Sequence, residues 1–198
     1  MQKNFLNVGG GSKHVKVPPI YDGWEHLLLD IDPKGNPDVC LDARELATLD
    51  ANRFDAIYCS HNLEHYFAHD VARVLAGFHH VLKADGFAEI RVPDMGELFK
   101  EVVQRQLDID DVLYDSGRGP IRVRDVIYGH GAEIEASGVD FYAHKTGFTR
   151  KSLAAALNRA QFPYLVFTQG RNREIAVRAF KQMPTAEQKA LIGVRAEA

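Results

Sequence analysis

Two cysteines, Cys40 and Cys59, are all that 198 residues contain. They lie too far apart for a paired redox or zinc motif, which excludes a disulfide-stapled scaffold and a cysteine-rich metal site. Each sits in an apolar stretch and reads as a small hydrophobe suited to a reducing cytoplasm. No apolar run approaches the roughly 20 residues that span a bilayer, so no membrane segment is expected. Met1 to Asn4 is too short and polar for a signal peptide. A strong charge of one sign is also missing: the formal net charge of −3 gives no reason to expect a nucleic-acid partner. Repeats and low-complexity tracts are absent. With 45% apolar and 26% charged residues the composition is that of an ordinary globular domain with a sizeable core.

Strand and helix signals alternate along the chain. Phe5 to Val8 is a short apolar run stopped by Gly9-Gly10-Gly11. The next segment, Ser12 to Glu25, contains Pro18-Pro19, which argues against a full-length helix. His26 to Asp32 reads as a second strand, Asp38 to Asp42 as a third, and Phe54 to Ser60 as a fourth. From Leu63 to Leu82 apolar residues recur at helical spacing, with Lys83 and Gly86 as C-terminal signals. Phe87 to Val92 returns to strand, and Asp94 with Glu97 starts a helix to about Leu107. The stretch 108–147 is broken by Gly117, Gly119, Pro120, Gly129, Gly131 and Gly138, and reads as an insertion of short helices and loops anchored by apolar residues. Thr149 caps a helix through Ala160. Tyr164 to Thr168 and Glu174 to Phe180, with Gly170 and Asn172 between them, form a hairpin pair. The fold class that follows is α/β, Rossmann-like: a mostly parallel sheet of the seven-stranded type, a C-terminal antiparallel hairpin strand, and helices on both faces. Residues 1–184 form one domain and 185–198 a charged tail.

Several residues in this frame carry chemistry. A glycine-rich turn after a first strand lets backbone approach a ligand where a Cβ would obstruct it. Gly9, Gly10 and Gly11 do not have the dehydrogenase spacing, and without a full helix behind them a pyrophosphate on a helix N-terminus is disfavoured. Asp30, at the end of the second strand and about 20 residues on, can accept both hydroxyls of a ribose, with Asp32 as the alternative. Asp42, with the Ala43 backbone, ends the third strand where a carboxylate and an N–H can face an adenine. It is equally suited to cap the following helix.

Ser60-His-Asn-Leu-Glu-His65, taken with Phe54-Asp55, Val81-Leu-Lys-Ala-Asp-Gly86 and Val92-Pro-Asp94, resembles the methyltransferase type 11 family. The similarity is greatest to its small bacterial members. It runs from Phe5 to Val103 and resumes from His144-Lys-Thr-Gly-Phe-Thr149 to Phe180. The resemblance implies a class I enzyme that uses S-adenosyl-L-methionine. It matches Gly9, Gly10 and Gly11 to the cofactor loop, Asp30 with Ile31 to the ribose-binding acid and its hydrophobic neighbour, and Asp42 with Ala43 to the adenine pair. Ser60 and His61 fall beneath the sulfonium. Two departures stand out: the usual acid at the end of the first strand is Asn7 or Val8, and the first crossover helix is missing or short.

The implied reaction moves a methyl group to a small-molecule acceptor. A base is needed only if that acceptor loses a proton, and His61, His65, His144 and Tyr142 are the candidates. Gly9, Asp30, Asp42, Ser60 and Asp94 are expected around one crevice beyond the strand ends. No helices precede the first strand, so the 108–147 insertion is expected to serve as the acceptor-side lid. Two alternatives differ in class: a cofactor-binding domain without turnover, and a zinc hydrolase through His61-x-x-Glu64-His65. The second needs both histidines within a helix, whereas His61 directly follows a strand. No metal is therefore expected.

Overall fold

The computed structural model describes residues 2–117, 119–170 and 173–193, with Gln169 described by its backbone only. Seven strands form one sheet in the order β3-β2-β1-β4-β5-β9-β8. In chain order they are β1 (Asn4–Val8), β2 (Glu25–Asp30), β3 (Val39–Cys40), β4 (Phe54–Ser60), β5 (Leu82–Pro93), β8 (Tyr164–Gln169) and β9 (Glu174–Phe180). The first five pair in parallel; β9 runs antiparallel to β5 and to β8. A second sheet is the hairpin of β6 (Val112–Ser116) and β7 (Gly119–Arg122).

Alternation along β1 divides the core. Leu6 and Val8 face one side, where α1 (Ala68–Val81) and α5 (Arg150–Arg159) pack through Val74, Leu75, Phe78, Leu153 and Leu157. Phe5 faces the other side, where it meets Tyr21, Tyr58, Phe87, Phe180 and Ile192. That second face is covered by a 3-10 turn, Pro19–Tyr21, and by Ile192 just after α6 (Ala186–Leu191). Pro18 and Pro19 explain the turn: proline suits a helix start but not a helix interior. Thus no α-helix joins β1 to β2, in line with the sequence.

Three expectations are corrected. The helical periodicity from Leu63 begins with a 3-10 turn, Leu63–His65, and the helix proper starts at Ala68 after an extended Phe67. It stops at Val81; Lys83 is already in β5, where its ammonium pairs with Asp55 at 2.9 Å. The insertion contains the β6–β7 hairpin beside α3 (Val123–Tyr128) and α4 (Gly131–Ser137), and packs onto α2 (Met95–Arg105) through Leu98, Leu113 and Val123. After Pro184 the chain forms α6, capped by Thr185 and Gln188, so the tail begins as an ordered helix. Cys40 is exposed whereas Cys59 is buried. Asn172 of the hairpin turn and residues 194–198 of the tail lie outside the described residues. Local capping is as read: Asp94 accepts from the Gly96 and Glu97 amides, and Thr149 from the Ser152 amide. Among the described residues no helix is long and apolar enough to cross a membrane.

Candidate functional site

The sheet order reverses between β1 and β4, and in open α/β sheets the crevice at such a switch point, beyond the carboxyl ends of the strands, is where ligands bind. The β1 turn is built tightly there. Gly9 and Gly11 have positive φ (69° and 67°), the left-handed region that glycine enters without steric cost. A Cβ on Gly9 would stand 2.0 Å from the Asn62 side chain, and one on Gly35 would stand 1.8 Å from the Gly11 carbonyl oxygen. Gly11 itself has no heavy atom within 4 Å of where its Cβ would be, so its outer face is open.

Asp30 ties this turn to β2. One carboxylate oxygen accepts from the Gly11 amide and the other from the Asp32 amide, each at 2.9 Å. A carboxylate has about four acceptor positions, so two stay available toward the crevice. Asp32 instead caps the turn Pro33–Gly35 by accepting from the Lys34 amide.

A crevice of about 600 Å³ is lined by Gly9, Gly11, Asp30, Ile31, Asp42 and His61 among others. Ile31 is exposed over it. Asp42 lines it too, but its carboxylate is engaged by the Arg44 guanidinium and backbone amide. Burial draws the Asp42 carboxyl upward; the Arg44 contacts outweigh that and hold it below the ordinary carboxylate value. Ala43 is buried and does not line this crevice. A second crevice of about 670 Å³ shares Gly9, Gly11, His61, His65 and Tyr142 with the first and includes Gly10. Its far wall comes from the insertion: Tyr114, Ile121, Val126, His130 and His144.

Two residues expected at the crevice lie elsewhere. Ser60 lines neither cavity. Asp94 is spent as the α2 cap and borders a separate open depression of about 790 Å³ lined by Lys100, Glu101, Arg105 and Arg173.

The turn after β4 brings together side chains that sequence reading ranked only as alternatives. His61 has a positive φ of 51°, and its ring nitrogens lie 3.4 Å from Glu64 and 3.4 Å from Glu174. Burial alone would lower its pKa; the Glu174 and Glu64 carboxylates reverse this and raise it to about 9. The His144 ring lies edge-on to His65 at 4.9 Å between centroids. Burial is the main cause lowering the His144 pKa, against the opposing pull of Glu64. Tyr142 is shifted upward, by burial first and then by the Glu133, Asp32 and Asp30 charges. Glu174 is the residue that sequence reading missed. Locally it marks only the start of a strand, and nothing nearby in the chain signals that β9 pairs beside β5 and brings it to His61.

Residues 21–90 match the family model described as a methyltransferase domain. No curated protein matches the chain. Among solved structures the chain is similar to a S-adenosylmethionine-dependent methyltransferase from Archaeoglobus fulgidus (14% identity, 90% of this chain and 86% of that one, TM-score 0.56). It is similar also to one from Methanosarcina mazei (13% identity, 90% and 92% covered, TM-score 0.55). A third likeness is to the 1,6-didemethyltoxoflavin-N1-methyltransferase of Burkholderia thailandensis, solved with 1,6-didemethyltoxoflavin and S-adenosylhomocysteine (14% identity, 90% and 71% covered, TM-score 0.51). At such identities the likeness is one of fold.

Proposed function

We propose that the chain, whose residues 21–90 match a methyltransferase domain, is a S-adenosylmethionine-dependent methyltransferase that methylates a small molecule held in the crevice beneath the insertion, with the cofactor in the adjoining crevice. The observation that carries this reading is Asp30, a nearly buried carboxylate at the end of β2 whose two backbone partners leave acceptor positions facing the first crevice. The residues fit the cofactor: the open Gly11 face admits a close ligand, Asp30 suits a ribose diol, and exposed Ile31 offers an apolar surface to a base. Asp42 would share one oxygen between Arg44 and an adenine amino group. When bound, the cofactor supplies an electrophilic methyl group on a sulfonium.

What the chain contributes is placement and exclusion of water. The walls common to both crevices are Gly9, Gly11, His61, His65 and Tyr142, so a group passing between them passes these residues. The 108–147 insertion supplies the outer wall of the acceptor crevice, which supports its reading as a lid. The volume of the acceptor crevice lies in the ~300–1,000 Å³ range of small-molecule sites. The Burkholderia enzyme, which holds 1,6-didemethyltoxoflavin beside S-adenosylhomocysteine, lends further support.

Calorimetry with S-adenosylhomocysteine tests the cofactor side. Asp30→Ala is expected to weaken binding by about 2 kcal/mol, in the range for hydrogen bonds to a charged group. Asp32→Ala is expected to cost less, because that carboxylate is occupied as a cap. An equal or larger loss from Asp32→Ala would overturn the assignment. On the acceptor side, Tyr142→Ala is expected to spare S-adenosylhomocysteine affinity while reducing labelled-methyl transfer to a panel of small phenols, amines and carboxylic acids. Loss of affinity instead would assign Tyr142 to the cofactor.

A further inference from the structure

We propose that Glu64, His65 and His144 form a binding site for one divalent first-row transition-metal ion at the wall between the two crevices. One donor atom from each of the three lies within 4.8 Å of the others. Glu64 is 1% exposed, and neither of its carboxylate oxygens has a hydrogen-bond partner. The nearest nitrogens, Nδ1 of His61 at 3.4 Å and Nε2 of His144 at 4.0 Å, are not in hydrogen-bonding geometry. The His61 imidazole offsets part of this charge through space, but a buried carboxylate with no hydrogen bond remains disfavoured, and a bound cation would satisfy it directly.

The two imidazoles are prepared for the same role. Nδ1 of His144 donates to the Val126 carbonyl at 2.9 Å, which leaves Nε2 as the lone-pair nitrogen, facing Glu64. A backbone carbonyl holding the remote ring nitrogen is the usual outer support of a metal-bound histidine. His65 has a carbonyl opposite each ring nitrogen, Ala143 at 3.1 Å and His61 at 3.2 Å. A neutral imidazole donates to only one of them, so the other nitrogen is free to bind a cation.

Backbone contacts set this arrangement. The Glu64 carbonyl accepts from the Lys145 and Thr146 amides, and the His144 amide donates to the Tyr128 carbonyl. Gly129 allows the strands of chain to close up, since a Cβ there would stand 2.2 Å from the Tyr142 carbonyl oxygen. Two imidazoles and one carboxylate favour zinc, cobalt, iron or nickel over magnesium or calcium. Bonds of roughly 2.0–2.2 Å require the donors to move inward by about 1 Å from their present spacing. The sequence expectation of no metal rested on the helical geometry of zinc peptidases. A 3-10 turn plus a distant insertion residue supplies a different geometry, and the proposal is independent of the methyltransferase reading.

The full chain, stripped with a chelator, is to be titrated with Co²⁺ and followed by its visible d–d absorption, with Zn²⁺ calorimetry alongside. We expect saturation at one ion per chain, and affinity lowered roughly tenfold or more in each of Glu64→Gln, His144→Ala and His65→Ala. Circular dichroism of the same variants reports that they are folded, and S-adenosylhomocysteine binding by the metal-stripped wild type keeps failure of the metal site distinct from failure of the cofactor site. His65 is only partly buried, so its variant carries the test should the Glu64 variant not fold. Absence of saturable Co²⁺ binding in the wild type would overturn the proposal, as would binding that survives both histidine substitutions.

Discussion

Replacing Glu89 by Ala is expected to destabilise the protein by about 3–5 kcal/mol, the cost of stripping one partner from a buried ion cluster. Glu89 is 1% exposed in β5. One of its oxygens accepts from Nε and Nη2 of Arg91 at 3.0 and 2.7 Å; the other accepts from Nε of Arg178 at 2.9 Å and from the Tyr21 hydroxyl at 3.3 Å. Arg91 keeps Glu174, but Arg178 loses the carboxylate it donates to, and Tyr21 loses its acceptor. Burial, with the Glu89 charge second, pushes the Tyr21 phenol far above its ordinary value, so it stays neutral and cannot compensate. Glu89 stands directly opposite Arg178 in the register of β5 with β9. The cluster therefore also favours the β5–β9 register that places Glu174 beside His61. Urea unfolding measures the effect; a loss below about 1 kcal/mol would show that the arginines find other partners.

The second large effect is expected at Gly35. A methyl group there would meet the Gly11 carbonyl oxygen at 1.8 Å, and the obstacle is backbone, not the end of a flexible side chain. Gly35→Ala must push the β1 and β2 turns apart, which pulls the Gly11 amide away from Asp30. Overpacking of this kind costs about 1–3 kcal/mol, and here it falls on the proposed cofactor cradle. S-adenosylhomocysteine affinity should drop by up to roughly 100-fold, which corresponds to about 2.8 kcal/mol. Circular dichroism should show an unchanged sheet. Unchanged affinity would mean that the two turns part freely and that their contact is no element of the cofactor crevice.

Much of the frame is legible from local signals. Pro18-Pro19 suppresses the first crossover helix, Asp94 and Thr149 cap α2 and α5 as their side-chain chemistry dictates, and the two terminal strands form a hairpin. Periodicity misled at Leu63, where three apolar and polar residues in helical phase are held in a 3-10 turn. There the Glu64 carbonyl is used by Lys145 and Thr146. The β6–β7 hairpin also escaped notice, because glycines at Gly117 and Gly119 mark a turn without stating which flanking segments pair.

The glycine turn, Asp30 at the end of β2, and the order of strands and helices were determined by the sequence itself, because capping, proline sterics and side-chain alternation act within a few residues. Tertiary structure alone decided that Ser60 lies outside both crevices and that Glu174 stands beside His61. It alone brought His144 from the insertion to the buried Glu64. These outcomes depend on strand register and on how the insertion docks. Both are fixed by contacts between segments remote in the chain, to which no local propensity responds.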